Sequence, residues 1–265
     1  MPLPSTYPIL HPVQPDPAYA GKVALAVMAK APRPGKVKTR LAPPLTLDQT
    51  AALNICFVRD TTANIADVVQ SGDAAGVICY TPVGDEVAFD GLLPQGFSLI
   101  AQRGDGFGER LHLAATDLLL CGFSAVCLID SDSPTLPAAA LQSAVEALLQ
   151  PGDRVVLGGS DDGGYYLIGL KTAHPKVFER ITWSTGSVLQ ETRLRAEEIG
   201  VELVELPLWY DVDDGATLRV LAAELLEGTR PAFAKVDGYD AKATRVFLQD
   251  LLVNGAPWQT PVPAA

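Results

Sequence analysis

Histidine and cysteine are scarce in this sequence, which argues against several kinds of chemistry. Three histidines occur among 265 residues, and one of them, His11, lies in a proline-rich stretch. We therefore expect neither a histidine metal site nor a Ser-His-Asp relay. The four cysteines have no C-x-x-C spacing, and Cys79 and Cys127 lie in apolar runs, where a reduced cysteine behaves as a small hydrophobe. This pattern favours a reducing cytoplasm over a disulfide or zinc framework.

Positive charge and long apolar runs are also limited. Lysine and arginine number 20 against 31 acidic residues, and the net charge of −11 argues against a broad nucleic-acid surface. The most apolar stretch, Leu111–Ile129, is interrupted by His112 and Asp117, so no run reaches the roughly 18–20 uncharged residues of a membrane helix. The N-terminus lacks the cationic and apolar segments of a secretory signal. We expect neither a nucleic-acid partner nor membrane insertion, and the oligomeric state stays open.

Proline marks both ends of the chain. Six prolines lie in residues 1–20, which we predict to form an extended, poorly ordered arm because proline disrupts helices and removes strand donors. A tail at residues 255–265 carries three prolines around Trp258, which could anchor it. A single domain is predicted for residues 21–254, and the 48% hydrophobic content of the chain allows a sizeable core.

Between these ends, short apolar runs alternate with segments of helical period. This alternation predicts a three-layer α/β/α fold with a mostly parallel central sheet. Thr46 and Gln49 have the spacing of a capping box at the start of the first helix. We predict strands at Lys22–Ala29, Gly76–Thr81, Phe97–Ala101, Ala125–Ile129, Arg154–Gly158, Tyr165–Gly169 and Val201–Pro207, and helices at Thr46–Val69, Gly108–Leu120, Pro137–Leu149, Gly186–Ile199, Ala216–Leu226 and Phe233–Leu252.

A run of five cations without an anion follows the first predicted strand. It extends from Lys30 to Arg40, and Gly35 in its middle permits close backbone approach. Lys38 offers a point charge, and the guanidinium of Arg40 can bind two oxygens at once. Both features favour the phosphates of a nucleotide. The run lacks the Walker A pattern, and a solvated basic loop is the alternative interpretation.

Acidic clusters follow two later strands. Asp130 and Asp132 come after the strand at Ala125–Ile129, where carboxylates could hold Mg²⁺ or Mn²⁺, although the alternative of a turn capped by Asp130 is also good local chemistry. After the last strand, Asp213 could complete that metal site, while Asp213 or Asp214 could instead cap the next helix.

Three further segments could border a ligand. The Asp161–Gly164 stretch could face a hexose-sized group or form a tight hairpin. The Gly104–Arg110 stretch lacks G-x-G-x-x-G spacing and is interpreted as a helix-start loop beside the site. The Trp183–Thr185 stretch could face substrate or cap a helix, and we favour the cap.

Taken in order, these motifs resemble one family over about Lys22–Leu226. It is the bacterial DUF2064 family of transferases with the GT-A fold, the nucleotide-diphospho-sugar transferase architecture. Its members are often labelled arsenosugar-biosynthesis-type glycosyltransferases, and they are distantly similar to nucleotidylyltransferases for phospholactate and molybdenum cofactors. The motifs are Lys30-Ala-Pro-x-Pro-Gly35-x-x-Lys38-Thr39-Arg40-Leu41, Gly106-Phe-Gly108-Glu-Arg110, Asp130-Ser-Asp132-Ser-Pro-x-Leu136, Asp161-Asp-Gly-Gly-Tyr165-Tyr, Trp183-Ser184-Thr185 and Tyr210-Asp-Val-Asp213.

The resemblance implies a nucleotide over the first half of the sheet and a divalent metal, Mg²⁺ or Mn²⁺, after the central strand. Relatives commonly have glycine where this chain has Asp130, so Asp132 is the stronger ligand candidate. The predicted site residues are Lys30, Gly35, Lys38, Thr39, Arg40, Gly106 and Arg110 for nucleotide, Asp132, Asp213 and Asp130 for metal, Gly163, Gly164, Tyr165 and Trp183 for substrate, and Asp162 and Asp211 for catalysis.

Three functions are compatible with these residues. The first is glycosyl transfer from a nucleotide-diphospho-sugar to a small acceptor. The second is nucleotidyl transfer from a nucleoside triphosphate with release of pyrophosphate, because the cation run resembles the loop of those enzymes. A non-catalytic nucleotide-binding module is the third, and the joint presence of Asp132, Asp213 and the cation run argues against it.

Overall fold

A seven-stranded sheet forms the centre of the protein in a computed structural model that describes residues 5–253 and 255. Trp258 and its proposed anchoring role lie outside the described residues. The strands are β1 Val23–Lys30, β2 Ala74–Thr81, β3 Ser98–Ala101, β4 Ala125–Ile129, β5 Arg154–Ser160, β6 Tyr165–Leu170 and β7 Glu202–Trp209. The helices are α1 Leu47–Val68, α2 Phe107–Leu120, α3 Ala138–Leu149, α4 Val188–Glu198, α5 Gly215–Ala222 and α6 Lys242–Val253.

The sheet is mostly parallel, as predicted. Its strand order is β3-β2-β1-β4-β6-β5-β7, and only β6 runs antiparallel to its neighbours β4 and β5. The reversal follows from the short Asp161–Gly164 connection, since Ser160 N donates to Gly164 O at 2.9 Å and closes a hairpin. The hairpin interpretation of this stretch is therefore confirmed.

Helices cover both faces of the sheet because alternate strand residues point to opposite sides. On β1, Leu25 belongs to a buried cluster with Phe57 of α1, whereas Ala26 belongs to a second cluster with Leu118 of α2. Helices α3, α5 and α6 contribute to the first cluster and α4 to the second. The predicted three-layer architecture is confirmed. Within the described part of the chain, no helix combines the length and apolarity needed to cross a bilayer.

The N-terminal arm was predicted to be poorly ordered, and this was wrong for residues 5–20. The arm pairs with β3 through Leu10 N to Leu99 O and Leu99 N to Pro8 O, both at 2.8 Å. Tyr19 also stacks on Phe123 with ring centroids 4.2 Å apart. Proline lacks a donor but its carbonyl still accepts, so an arm with donors between its prolines can pair with an edge strand.

The last predicted helix, Phe233–Leu252, begins later than expected, at Lys242. Asp60 of α1 accepts hydrogen bonds from the backbone N–H groups of Ala243 and Thr244 at 2.9 and 2.7 Å and so fixes that start. Phe233 instead packs against Trp209 and Tyr210. Tertiary contacts therefore override the helical period of this segment.

Candidate functional site

The ends of β1, β4 and β7 bring the cation run and the acidic clusters to one edge of the sheet. There, the Lys38 ammonium lies 2.9 Å from Asp132 Oδ1 and 3.0 Å from Asp213 Oδ1, and it donates to Val212 O at 2.7 Å. These three acceptors match the three N–H groups of an ammonium. Lys38 therefore holds the two predicted metal carboxylates together.

Burial and charge act on Lys38 in opposite directions. Its side chain is 5% exposed, and this burial works to lower the pKa. The charges of Asp132 and Asp213, and the hydrogen bonds to them, outweigh burial and raise the pKa above the usual lysine value. Lys38 is therefore charged at neutral pH. Its backbone has φ 49°, a left-handed conformation that costs about 1 kcal/mol for a non-glycine residue.

A cavity of 330 Å³ lies over this contact. Arg40, whose side chain is 75% exposed, pairs with Asp213 Oδ2 at 2.9 Å on the rim. Asn54 of α1 lies at the wall with 4% exposure, and its buried Oδ1 has no hydrogen-bond partner among the described residues. The lining is Met28, Lys30, Lys36, Val37, Lys38, Thr39, Arg40, Asn54, Ser131, Asp132 and Asp213.

Four of the seven residues predicted to bind nucleotide line this cavity, and three do not. Lys30, Lys38, Thr39 and Arg40 line it. Gly35 has φ 70° in the turn that leads to the lining residues Lys36 and Val37. Gly106 is the N-cap of α2, and the Arg110 guanidinium lies 5.9 Å from the Phe107 ring centroid. Gly106 and Arg110 are absent from the described linings of this cavity and of the neighbouring one.

Asp130 has a structural role in the turn after β4. One of its carboxylate oxygens accepts from Asp132 N at 3.2 Å, and the other accepts from the Ser133 hydroxyl at 2.9 Å. Burial raises the pKa of Asp130 well above its usual value, with repulsion from Asp132 and Asp211 adding to it. The capped-turn alternative is therefore present, and Asp132 remains the stronger ligand candidate.

Helix capping separates Asp213 from Asp214. The Asp214 side chain accepts from Ala216 N and Thr217 N, both at 2.9 Å, and caps α5. Asp213 is left free to face Lys38 and Arg40. Of Asp213 and Asp214, Asp214 is therefore the cap.

A second cavity, of 370 Å³, adjoins the first and shares Arg40, Asp132 and Asp213 with it. Carboxylates and aromatic rings dominate its wall. The lining is Arg40, Phe107, Asp130, Asp132, Ser160, Asp162, Gly164, Tyr165, Trp183, Ser184, Thr185, Gly186, Val188, Asp211 and Asp213.

Asp211, which follows β7, is a half-buried carboxylate at the wall of this cavity. Burial raises its pKa to about 6, a hydrogen bond from the Ser160 hydroxyl at 2.8 Å opposes the shift, and repulsion from nearby aspartates adds to it. Asp162 is more exposed and accepts from Gly164 N at 2.7 Å. A half-buried carboxylate of this pKa is suited to accept a proton near pH 7.

Three aromatic side chains also line this cavity. The rings of Phe107 and Tyr165 lie with their centroids 5.0 and 6.4 Å from that of Trp183. A side chain at Gly108 would collide with the Trp183 indole, and one at Gly163 would collide with Gly186 O. These glycines allow the wall to close, and Gly163 faces backbone where the prediction had it face substrate.

The favoured interpretation of Ser184 and Thr185 as a helix cap was wrong. Helix α4 begins at Val188 with Ser187 as its N-cap, and no side chain caps it. Ser184 has φ 62° and lines the second cavity together with Thr185. The helix starts later than predicted, which leaves the Trp183 segment as a loop beside the cavity.

Several residues that line the two cavities had no role predicted from the sequence. Phe107 lay between predicted glycines, and its aromatic character beside a helix start was a usable signal. Asn54 and Ser160 carried no such signal, since a polar residue on a helix and one at a strand end are common.

Asp132 and Asp213 suit a divalent metal only if the phosphates of a bound nucleotide and water supply the remaining coordination positions. The described residues contain no group of three or more His, Cys, Asp or Glu side chains able to hold a metal ion. Asp132 Oδ1 and Asp213 Oδ1 nevertheless both reach one Lys38 nitrogen, so a single cation can contact both. Mg²⁺ is commonly held by one or two carboxylates plus phosphates and water. The donor set fits such an ion, provided that Lys38 yields its position.

Comparison with known proteins agrees with this fold. A family of proteins conserved in bacteria and described as uncharacterized, DUF2064, matches residues 64–185. A solved protein from Desulfovibrio desulfuricans G20, provisionally named a nucleotide-diphospho-sugar transferase, is 31% identical with a TM-score of 0.74, over 89% of this chain and 96% of its own. No curated protein matches the sequence.

Two more distant solved structures share far less with this chain. A cytidylyltransferase from Leptospira borgpetersenii is 11% identical with a TM-score of 0.49, over 92% of this chain and 99% of its own. Glucosyl-3-phosphoglycerate synthase from Mycobacterium tuberculosis is 13% identical with a TM-score of 0.46, over 81% of this chain and 83% of its own. Neither likeness bears on activity. From the family match and the 31% identical relative, we conclude that this chain belongs to the DUF2064 family and has the α/β fold of nucleotide-diphospho-sugar transferases.

Proposed function

We propose that this protein is a metal-dependent glycosyltransferase that moves a sugar from a nucleotide-diphospho-sugar to a small acceptor. The observation that carries the proposal is a pair of adjoining cavities of opposite character. The first is lined by four cations, and the second by five carboxylates and three aromatic rings. Arg40, Asp132 and Asp213 form their common boundary, where the transferred group would lie.

The first cavity suits the nucleotide diphosphate. Lys30, Lys36 and Arg40 have charges that can neutralise phosphate oxygens. The unpaired Asn54 Oδ1 offers an acceptor for a ligand N–H or O–H group. Lys38 would exchange a carboxylate contact for a phosphate when the donor binds. The named activity of the 31% identical relative supports this choice of donor.

Asp132 and Asp213 would hold the metal between the two cavities. A bound Mg²⁺ or Mn²⁺ would neutralise the charge that develops on the departing diphosphate. Arg40, which contacts Asp213 at the boundary, would orient the same diphosphate through its guanidinium. Asp130 would keep the turn in shape through its bonds to Asp132 N and Ser133.

Asp211 would act as the general base. Its pKa of about 6 leaves the carboxylate mostly ionised at pH 7, so it can take the proton of an acceptor hydroxyl. Ser160 orients Asp211, and Asp162 lies nearby to bind acceptor hydroxyls. Phe107 and Trp183 would pack against the sugar or acceptor and exclude water from the reacting atoms.

The second cavity favours glycosyl transfer over nucleotidyl transfer to a phosphorylated acceptor. In nucleotidyl transfer of this kind the nucleophile is the phosphate of the acceptor, and a phosphate group requires cations around it. Among the described lining residues of the second cavity, Arg40 is the one cation, and it is paired with Asp213. A nucleotide-binding module without catalysis would have no use for the tuned carboxylate of Asp211.

The test is to incubate the protein with pools of nucleotide sugars or of nucleoside triphosphates, with Mg²⁺ or Mn²⁺, and to measure nucleoside diphosphate and pyrophosphate. We expect nucleoside diphosphate from a sugar donor and its loss in Asp211→Asn. Asp161→Asn is the matched control, because Asp161 lies outside the described linings of both cavities. Pyrophosphate release alone would overturn the proposal.

A further inference from the structure

The second cavity has an excess of negative charge. Asp132 and Asp213 are paired with Lys38 and Arg40. Two other carboxylates, those of Asp162 and Asp211, form no ion pair within the described part of the chain and accept hydrogen bonds from neutral groups. A cavity with uncompensated carboxylates repels anions and attracts cations.

The same cavity is also lined by aromatic rings. Phe107 and Tyr165 pack edge-on against Trp183, and all three rings line the cavity. Aromatic faces attract ammonium groups, most strongly those of tryptophan. The buried Tyr165 hydroxyl has no hydrogen-bond partner among the described residues, so a polar group of the wall is also unpaired. Carboxylates and aromatic rings that line one cavity form a pocket that suits an organic cation.

We propose that the acceptor is a small alcohol that also carries a positively charged nitrogen, either a protonated amine or a quaternary ammonium group. The inference rests on the transferase function proposed above and specifies its acceptor. The charged nitrogen would lie between Asp162 and the Trp183 ring, and the hydroxyl would face Asp211. Phosphorylated and carboxylated acceptors are disfavoured, because no free cation of the described lining would receive their charge.

The transfer step balances without a further reactant. The acceptor oxygen forms a bond to the anomeric carbon of the donor sugar, and the bond from that carbon to the diphosphate oxygen breaks. Asp211 takes the proton of the acceptor hydroxyl, and the nucleoside diphosphate leaves with the electron pair. The ammonium group stays unchanged and serves only for recognition.

The test measures direct binding of two matched pairs of probes by saturation-transfer NMR and tryptophan fluorescence. Choline is compared with its neutral analogue 3,3-dimethyl-1-butanol, and D-glucosamine with N-acetyl-D-glucosamine. We expect the cation of at least one pair to bind about tenfold more tightly than its neutral partner, as a charge-assisted contact implies. Equal binding within both pairs would overturn the inference, and so would tighter binding of phosphocholine or glucosamine 6-phosphate.

Two variants assign the preference to the cavity. Asp162→Asn keeps the acceptor oxygen that receives Gly164 N, so the hairpin is preserved while the charge is lost. We expect this variant to lose most of the cation preference and Asp161→Asn, next to it in the chain, to retain it. An unchanged preference in Asp162→Asn would contradict the assignment.

The same preparation separates failure of the inference from failure of the proposed function. Release of nucleoside diphosphate from a sugar donor tests the function, whereas the ratio of affinities within a probe pair tests the acceptor class. If nucleoside diphosphate is released and no cation preference is found, the inference alone is wrong. If the preference is found and every sugar donor stays intact, the proposed sugar transfer is wrong and only the cation pocket stands.

Discussion

Asp132 and Asp213 share one ammonium: Lys38 Nζ lies 2.9 Å from the first carboxylate and 3.0 Å from the second. The lysine holds together two carboxylates from different strand ends while occupying the space that a metal ion would need. This relationship makes the metal and the lysine competitors for the same oxygens. The donor phosphates, which attract Lys38, would favour the exchange.

Lys38→Met should therefore tighten Mn²⁺ binding in the absence of nucleotide, by about tenfold or more, because the competing charge is gone. The same variant should lose about 3 kcal/mol of folding stability without metal, since Asp132 loses its ion pair and Asp213 keeps only Arg40, and it should regain part of that stability when Mn²⁺ is added. Calorimetric titration and urea unfolding measure these effects. Lys36→Met, in the same cavity but exposed, is the control. Weaker Mn²⁺ binding in Lys38→Met would contradict the competition.

Asn54→Leu should separate binding from stability. The buried Asn54 Oδ1 has no partner among the described residues, so its removal should leave the free energy of unfolding unchanged or higher. Nucleotide affinity should fall about tenfold, because the ligand loses a hydrogen-bond acceptor. Thermal unfolding and nucleotide titration measure the two quantities. If Asn54→Leu is less stable and keeps its nucleotide affinity, the prediction is contradicted, and Asn54 stabilises the fold without binding nucleotide.

Asp211→Asn should lower kcat about 100-fold to 10,000-fold, the usual contribution of a general base. The asparagine can still accept from the Ser160 hydroxyl, which donates to Asp211 at 2.8 Å in the native chain, so the geometry should persist. Donor binding should change little. Steady-state kinetics with donor and acceptor varied in turn separate the effect on kcat from the effect on donor binding. Ser160→Ala, which removes only the hydrogen bond to Asp211, should lower kcat less. Full activity in Asp211→Asn would exclude Asp211 as the base.

Docking of the N-terminal arm should depend on pH through Asp90. Partial burial works to raise the pKa of Asp90, but hydrogen bonds from Thr6 and Ser5 outweigh it and hold the pKa below its usual value. Because the folded pKa is depressed, the stabilisation is present above the unfolded pKa of about 4 and is lost as the pH falls through the folded value. The pairing of Leu10 with Leu99 reports on docking.

Hydrogen exchange of the Leu10 amide measures this release. Corrected for intrinsic rates, its protection should fall about threefold to tenfold between pH 7 and pH 3, as loss of charge-assisted hydrogen bonds implies. In Asp90→Asn the carboxamide can still accept from Ser5 and Thr6 but does not titrate, so the pH dependence should disappear. Equal protection of the native chain at both pH values would contradict the role of Asp90.

Local signals in the sequence predicted local structure well. The capping box of Thr46 and Gln49 is present at the start of α1, with both hydrogen bonds formed, and β4 has its predicted bounds. These features depend on residues near one another in the chain. The start of α6 could not be predicted in this way, because Asp60, which fixes it, belongs to a distant helix.

The candidate site was predictable in its residue types more than in its contacts. Strand ends indicated that cations and carboxylates lie at one edge of the sheet, and the structure brings Lys38, Asp132 and Asp213 there. The direct contact between them could not be derived, since it depends on the left-handed backbone at Lys38. No role was predicted for Phe107, because the stretch around it was interpreted only as a helix-start loop beside the site.

The central claim is that a metal held by Asp132 and Asp213 couples the two cavities in sugar transfer. The most direct measurement is release of nucleoside diphosphate and pyrophosphate by the native chain and by Asp132→Asn, each with and without Mn²⁺. We predict metal-dependent release of nucleoside diphosphate from a nucleotide sugar by the native chain, and loss of metal-dependent nucleotide binding and of release in Asp132→Asn. Unchanged metal dependence in Asp132→Asn, or pyrophosphate as the only product of the native chain, would contradict the account.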